Sequence, residues 1–198
     1  MTSTSENDEA LLAELLDGKP VESFDARALG AKGAWRAERD QHLAAALLFE
    51  AAAQRAAAAG DRTGWIEWLA RAGLRLYDAG RVTSAIPILR RTIEAHLEQP
   101  GNRDAFMVEW CYARLLRLAA SEHDAPAFRA TFEEAVASCR AVGRAFPSIH
   151  PHQEELLEAA HGLDCADERR ALADAIYRRR PISRALRARL KELALSPR

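Results

Sequence analysis

The chain has 198 residues, 48% hydrophobic and 29% charged, which suits one soluble globular domain or a short array of repeats. Its net charge of −1 leaves no global field to recruit nucleic acid or a membrane surface. Three widely spaced cysteines (Cys111, Cys139, Cys165) set no disulfide framework or zinc pattern, and no apolar run reaches the ~20 residues that span a bilayer.

Residues 1–6 are polar and acidic, unlike a signal peptide, and are expected to be disordered; the expected compartment is the cytoplasm. Leu11, Leu12, Leu15 and Leu16 give one apolar stripe and predict a helix over 7–17, ended by Gly18 and Pro20. A helical hairpin is expected over 24–60, its second helix carrying Leu43, Leu47, Leu48 and Phe49. After the turn Gly60-Asp61, helices are expected at 63–79 (Trp65, Trp68, Leu69, Leu74, Leu76, Tyr77) and 82–97 (Val82, Ile86, Ile88, Leu89, Ile93), closed by Pro100-Gly101. A third hairpin, 102–148, places helices at 103–120 and 125–143. A degenerate fourth, 149–180, places them at 152–162 and 166–179, and a capping helix follows over 181–195. Abundant alanine and few β-branched residues favour helix throughout.

A bulky residue followed three positions later by a small one recurs along these second helices. The pairs are Phe49 and Ala52, Leu89 and Thr92, Phe132 and Ala135, Leu172 and Ala175, at spacings of 40, 43 and 40. Recurrence near that period marks stacked helical hairpins, none of which buries its apolar face alone. Gly33 and Gly73 share the 40-residue register, as do Ala45 and Ala85, and Ala113 stands at the glycine position of the third hairpin. Small residues there let two helices approach closely.

The segment Ala72-Gly73-Leu74-Arg75-Leu76-Tyr77-Asp78-Ala79-Gly80, with Ala85, Leu89 and Thr92, resembles a tetratricopeptide repeat. The first hairpin echoes it with Gly33, Asp40, Ala45, Phe49 and Ala52, and Ala58-Ala59-Gly60-Asp61 is similar to the longer bacterial variants. The resemblance is good over 30–100, weak over 101–143 and marginal beyond. The spacing is not the 34 residues of that family, Phe128 replaces the small residue of Ala45 and Ala85, and Pro87 lies inside a helix. Other helical-hairpin arrays give the same pattern.

The resemblance implies an all-α fold: a right-handed superhelical stack of about nine helices, forming one domain over 7–198. It also implies a concave groove lined by the first helices. Its positions fall on Glu67, Ala70, Leu74, Tyr77 and Asp78, and on Met107, Trp110, Arg114, Arg117 and Leu118. Trp, Tyr and Arg dominate binding hot spots, and Arg114 and Arg117, one turn apart, are placed to share a carboxylate. The competing reading makes the aromatics core and the arginines a solvated face.

Chemistry is less legible. His150-Pro151-His152, with Glu154, Glu155 and His161, resembles metal ligands without a His-Glu-x-x-His spacing, and reads as an exposed helix start. Cys165 lies between Asp164 and Asp167, which should raise its thiol pKa. Trp65 and Trp68 read as hairpin core. No catalytic residue, cofactor or metal is expected, and no membrane association.

The expected function is non-catalytic protein recognition in the groove, as an adaptor, scaffold, chaperone or toxin-neutralising partner. Residues 1–29 carry a net −5 and residues 168–198 a net +7. Those ends are therefore expected to be solvated or to pair, within one copy or between copies of a homo-oligomer. A nucleic-acid-associated regulator using the basic segment is the alternative.

Overall fold

In the computed structural model, residues 6–98, 105–141, 143–178 and 182–195 are described. Among them are ten α-helices and no strand, against the about nine that the resemblance implies. They are α1 (Glu6–Leu15), α2 (Ala26–Ala37), α3 (His42–Ala58), α4 (Arg62–Asp78), α5 (Val82–Leu97), α6 (Ala105–Ser121), α7 (Ala125–Ala141), α8 (His150–Ala160), α9 (Ala166–Arg178) and α10 (Arg184–Leu195). Of the segment expected to be disordered, only Glu6 is described, and it opens α1; the turn Pro100-Gly101 lies outside the described residues. The helices gather into two compact units, 1–99 and 100–198.

In the first unit α3 packs on α1, α2 and α4, and α4 packs on α5. The stripe of α1 works as its spacing suggests: Leu15 and Leu16 join Leu29, Leu48, Ala51 and Ala52 in one buried cluster. The small residues stand where bulk would collide. A Cβ at Gly33 would lie 2.9 Å from the Phe49 ring, and one at Gly73 would lie 3.0 Å from Leu89. The 40-residue register is therefore a packing register: in each hairpin, the glycine of the first helix receives the bulky lead residue of the second. Trp68 stacks on Phe49 at 5.9 Å and an interplanar angle of 11°. Trp65 is half-buried beneath Arg91, 5.1 Å away. Pro87 sits in α5 on its exposed side, so the Thr83 carbonyl that loses a donor also lies at an exposed residue.

In the second unit α6 packs on α7 and α8, α8 on α9, and α10 on both α8 and α9. The lead residues Phe132 and Leu172 are buried here, as Phe49 and Leu89 are in the first unit. Phe128, which replaces a small residue, is fully buried and stacks on Phe132 at 6.4 Å. No described helix is long and apolar enough to cross a membrane.

Candidate functional site

The groove positions of α4 lie at the edge of the first unit's core. Ala70 is fully buried and is not a surface residue at all. Glu67 is half-exposed and accepts from Arg71 at 2.9 Å, while Asp78 accepts from Arg75 at 3.2 Å. Tyr77 and Leu74 are half-buried. These acids are already matched by arginines of their own helix.

On α6, Met107, Trp110, Arg114, Arg117 and Leu118 are all half-buried. The Arg114 guanidinium lies 5.7 Å from the Trp110 ring centre. Arg117 donates to Glu155 of α8 at 3.2 Å. Arg114 thus lies against an aromatic ring, and Arg117 ties α6 to α8. Arg189 of α10, from the basic segment, lies 3.3 Å from Glu192 and 3.9 Å from Glu158. Acids thus already neutralise part of the charge that a nucleic acid would meet.

Beneath Trp110 lies a buried polar cluster. Trp110 and His152 meet edge to face, ring centres 4.3 Å apart at 84°. His152 is 1% exposed, and its Nδ1 is 3.4 Å from Oε1 of Glu109, also 1% exposed. That carboxylate accepts from the amides of Ser148 (2.9 Å) and Ile149 (2.7 Å) and from the Ser148 hydroxyl. Ile149 is the residue just before α8, so a negative charge sits at that helix's positive end. Burial alone would raise the Glu109 carboxyl, but His152, the Ser148 hydroxyl and the two amides outweigh it and hold it below its ordinary value.

The arrangement is a clamp on the loop entering α8. Ser148 is engaged by the carboxylate rather than by the imidazole, the reverse of what an activated nucleophile requires. His152 was expected at an exposed helix start; it is instead in the core, because the helix begins at His150 and turns its third residue inward. Among the described residues no group of three His, Cys, Asp or Glu side chains is placed to hold a metal.

All three thiols are buried. Burial pushes Cys111 up to about 12 and Cys139 up to about 11. Cys165 is raised as expected, but by burial first, with Glu168 and Asp164 adding to it and Arg129 opposing.

Among the described residues, the most exposed aromatic is one the sequence pattern did not single out. Trp35 of α2 is 48% exposed, with the Arg39 guanidinium 3.8 Å and that of Arg36 4.9 Å from its ring centre. It borders a cleft of about 360 Å³ that also takes in Lys32, Ala31, Leu15 and Leu48. Arg39 is anchored to the Trp35 carbonyl at 3.0 Å and Arg36 to Gln41 at 2.7 Å. Both cations are thus held in place beside the ring.

Comparison with known proteins finds no matching family model, no matching curated protein and no matching solved structure.

Proposed function

We propose that this chain is a tetratricopeptide-like helical-repeat module that binds a segment of another protein. The observation that carries the reading is the Trp35 surface: an exposed tryptophan held against two anchored arginines, with Lys32 and an apolar cleft alongside. Trp and Arg are the side chains that dominate binding hot spots, and half of a large aromatic left in water is stabilised by being covered. Lys32 and Arg36 in the cleft wall, with Arg39 against the Trp35 ring, select a partner segment that joins an acidic residue to a bulky apolar one. The hairpin packing, glycine against bulky lead residue, supports the repeat assignment. The half-exposed α4 positions Glu67, Tyr77 and Asp78 serve as further contacts in the first unit under this reading, and Met107, Trp110, Arg114 and Arg117 of α6 as a separate contact set in the second.

The test is selection from a randomised peptide display library, followed by fluorescence anisotropy of the recovered peptides. Enrichment of acidic, aromatic-bearing or aliphatic-bearing peptides is expected. Trp35→Ala should weaken them about 30-fold, the equivalent of about 2 kcal/mol. Arg114→Glu/Arg117→Glu should weaken only peptides that bind the second unit. Peptides that bind Trp35→Ala as tightly as wild type would remove this surface from the reading. Failure to enrich any peptide would remove the reading itself.

A further inference from the structure

The Trp35 face of the first unit is built from two helices of opposite sign. Every charged residue of α1 is an acid: Glu6, Asp8, Glu9 and Glu14. Every charged residue of α2 is a base, Arg27, Lys32 and Arg36, with Arg39 just beyond its end. Of the acids flanking α2, Asp25 caps its first turn and Asp40 lies 3.9 Å from His42, which leaves Glu38. A cleft of about 520 Å³ adjoins the Trp35 cleft and shares Leu15 and Arg36 with it. Leu11 and Glu14 carry its lining onto α1.

The opposite charges do not neutralise one another within the chain. Asp8 lies 3.5 Å from Arg81 of the turn before α5. Among the described residues Glu9, Glu14, Arg27 and Lys32 make no ion pair. Ala31 and Ala28 stand one and two turns before Trp35 on the exposed side of α2, with Arg27 and Lys32 flanking that row. Such small residues let a second helix lie close along α2 beside the ring.

We infer that this face binds a second copy of the chain about a two-fold axis, α1 of each copy lying against α2 of the other. A two-fold axis sets one surface against itself, so that surface must be self-complementary. Acids on one helix and bases on its neighbour meet that condition, because each α1 then faces the partner's bases and each α2 the partner's acids. Matching helices set face to face would instead oppose like charges, which fixes the crossed arrangement. A second copy also supplies the chemistry the Trp35 surface selects, since α1 presents Glu14 beside Leu11 at the open cleft. Both Trp35 rings leave water at the centre. The inference rests on the reading of Trp35 as a binding surface and adds its regulation: the dimer covers that surface, so the fraction open to another protein is set by concentration.

The experiment is sedimentation velocity of the full chain from about 1 to about 200 μM, where a reversible monomer–dimer equilibrium is expected. Trp35→Ala should weaken the dimer about tenfold or more. Glu9→Lys/Glu14→Lys and Arg27→Glu/Lys32→Glu, which change surface charge and leave the core intact, should each weaken it by a similar factor. An equimolar mixture of these two charge-reversed variants should recover wild-type affinity, because each supplies the sign the other has lost. Raising NaCl from about 50 to about 500 mM should weaken the wild-type dimer several-fold; this arm needs no variant to fold. A monomer throughout the range, a dimer indifferent to Trp35→Ala or to salt, or a mixture of folded variants no tighter than its components would overturn the inference. Circular dichroism matching wild type establishes that the variants are folded. Peptide anisotropy at chain concentrations below the dimer range reads the Trp35 surface separately. A monomer that binds the selected peptides would overturn self-association alone, whereas a dimer that binds none would overturn the peptide reading alone.

Discussion

Gly30, Gly33 and Gly73 differ in what surrounds the missing side chain, and the difference decides the sign of a substitution. A Cβ at Gly30 would lie 2.7 Å from Cζ2 of Trp68, a rigid ring also stacked on Phe49, whereas at Gly73 it would meet the flexible ends of Ile88 and Leu89 at 3.0 Å. Alanine gains about 1 kcal/mol over glycine in a helix interior. Gly73→Ala is therefore expected to change stability by less than about 1 kcal/mol, while Gly30→Ala and Gly73→Leu each cost about 1–3 kcal/mol by overpacking. Urea denaturation checks the ranking, and a Gly30→Ala protein as stable as wild type would disprove the α2–α4 contact. Glu109 is the residue whose loss should cost most, about 3–5 kcal/mol for Glu109→Ala, because it leaves buried donors without their acceptor. The pH dependence has a defined sign. The folded Glu109 pKa is depressed, so its contribution is complete above its ordinary value of 4.5 and is lost as pH falls through the lower folded value. Glu50 is the opposite case, raised by burial and then by Asp8. Its contribution is present below 4.5 and is lost as pH rises through the folded value. Between pH 3 and 7 Glu109→Gln should fall progressively behind wild type in melting temperature, while Glu50→Gln should move ahead. Parallel profiles for the two variants would contradict both assignments.

Single helices are ended by one recurring device. After α2, α4 and α6 the chain passes through a left-handed residue, Asp40 (φ 56°), Gly80 (φ 75°) and His123 (φ 55°). The next amide then reaches back over the last turn: Gln41 to the Arg36 carbonyl, Arg81 to Leu76 and Asp124 to Ala119, at 3.1, 2.9 and 2.9 Å. Asp124 then caps α7 from the far side, accepting from the Ala127 amide at 2.9 Å. Only Gly80 adopts its conformation freely; Asp40 and His123 hold a side chain where an L-residue is strained. Both are exposed, and the Asp40 carboxylate only grazes His42 at 3.9 Å, so the backbone conformation dominates the effect of replacing them. Asp40→Gly and His123→Gly should each stabilise by about 0.5–1 kcal/mol, partly offset by the greater freedom of glycine in the unfolded chain. Thermal denaturation of the two variants measures it, and a loss of stability in both would show that these turns are not the strained form.

For the molecule as a whole, what was legible in the sequence is what repeats. The lead residues Phe49, Leu89, Phe132 and Leu172 and the small residues facing the first two, Gly33 and Gly73, report hairpins because the packing register is written at a fixed spacing. Glu109 and His152 belong to no recurring residue pattern, and the close approach of α6 and α8 joins them. Trp35 is no different from Trp65 and Trp68 as a residue. Its exposure depends on neighbours that leave it open, whereas Trp68 has Gly30 and Phe49 against it. The repeat also says which pieces complete one another. The helix-to-helix packing of α1 to α5 is satisfied within residues 6–98, with the α1 leucines covering the outer side of α3. Each of those helices has a packing partner inside the first unit, and α3, buried on nearly all sides, lies between α1, α2 and α4. Residues 1–98 expressed alone should therefore keep a helical circular-dichroism spectrum and melt in one cooperative transition. A fragment with little helix, or with helix but no cooperative melt, would mean that the first unit's core depends on residues beyond α5.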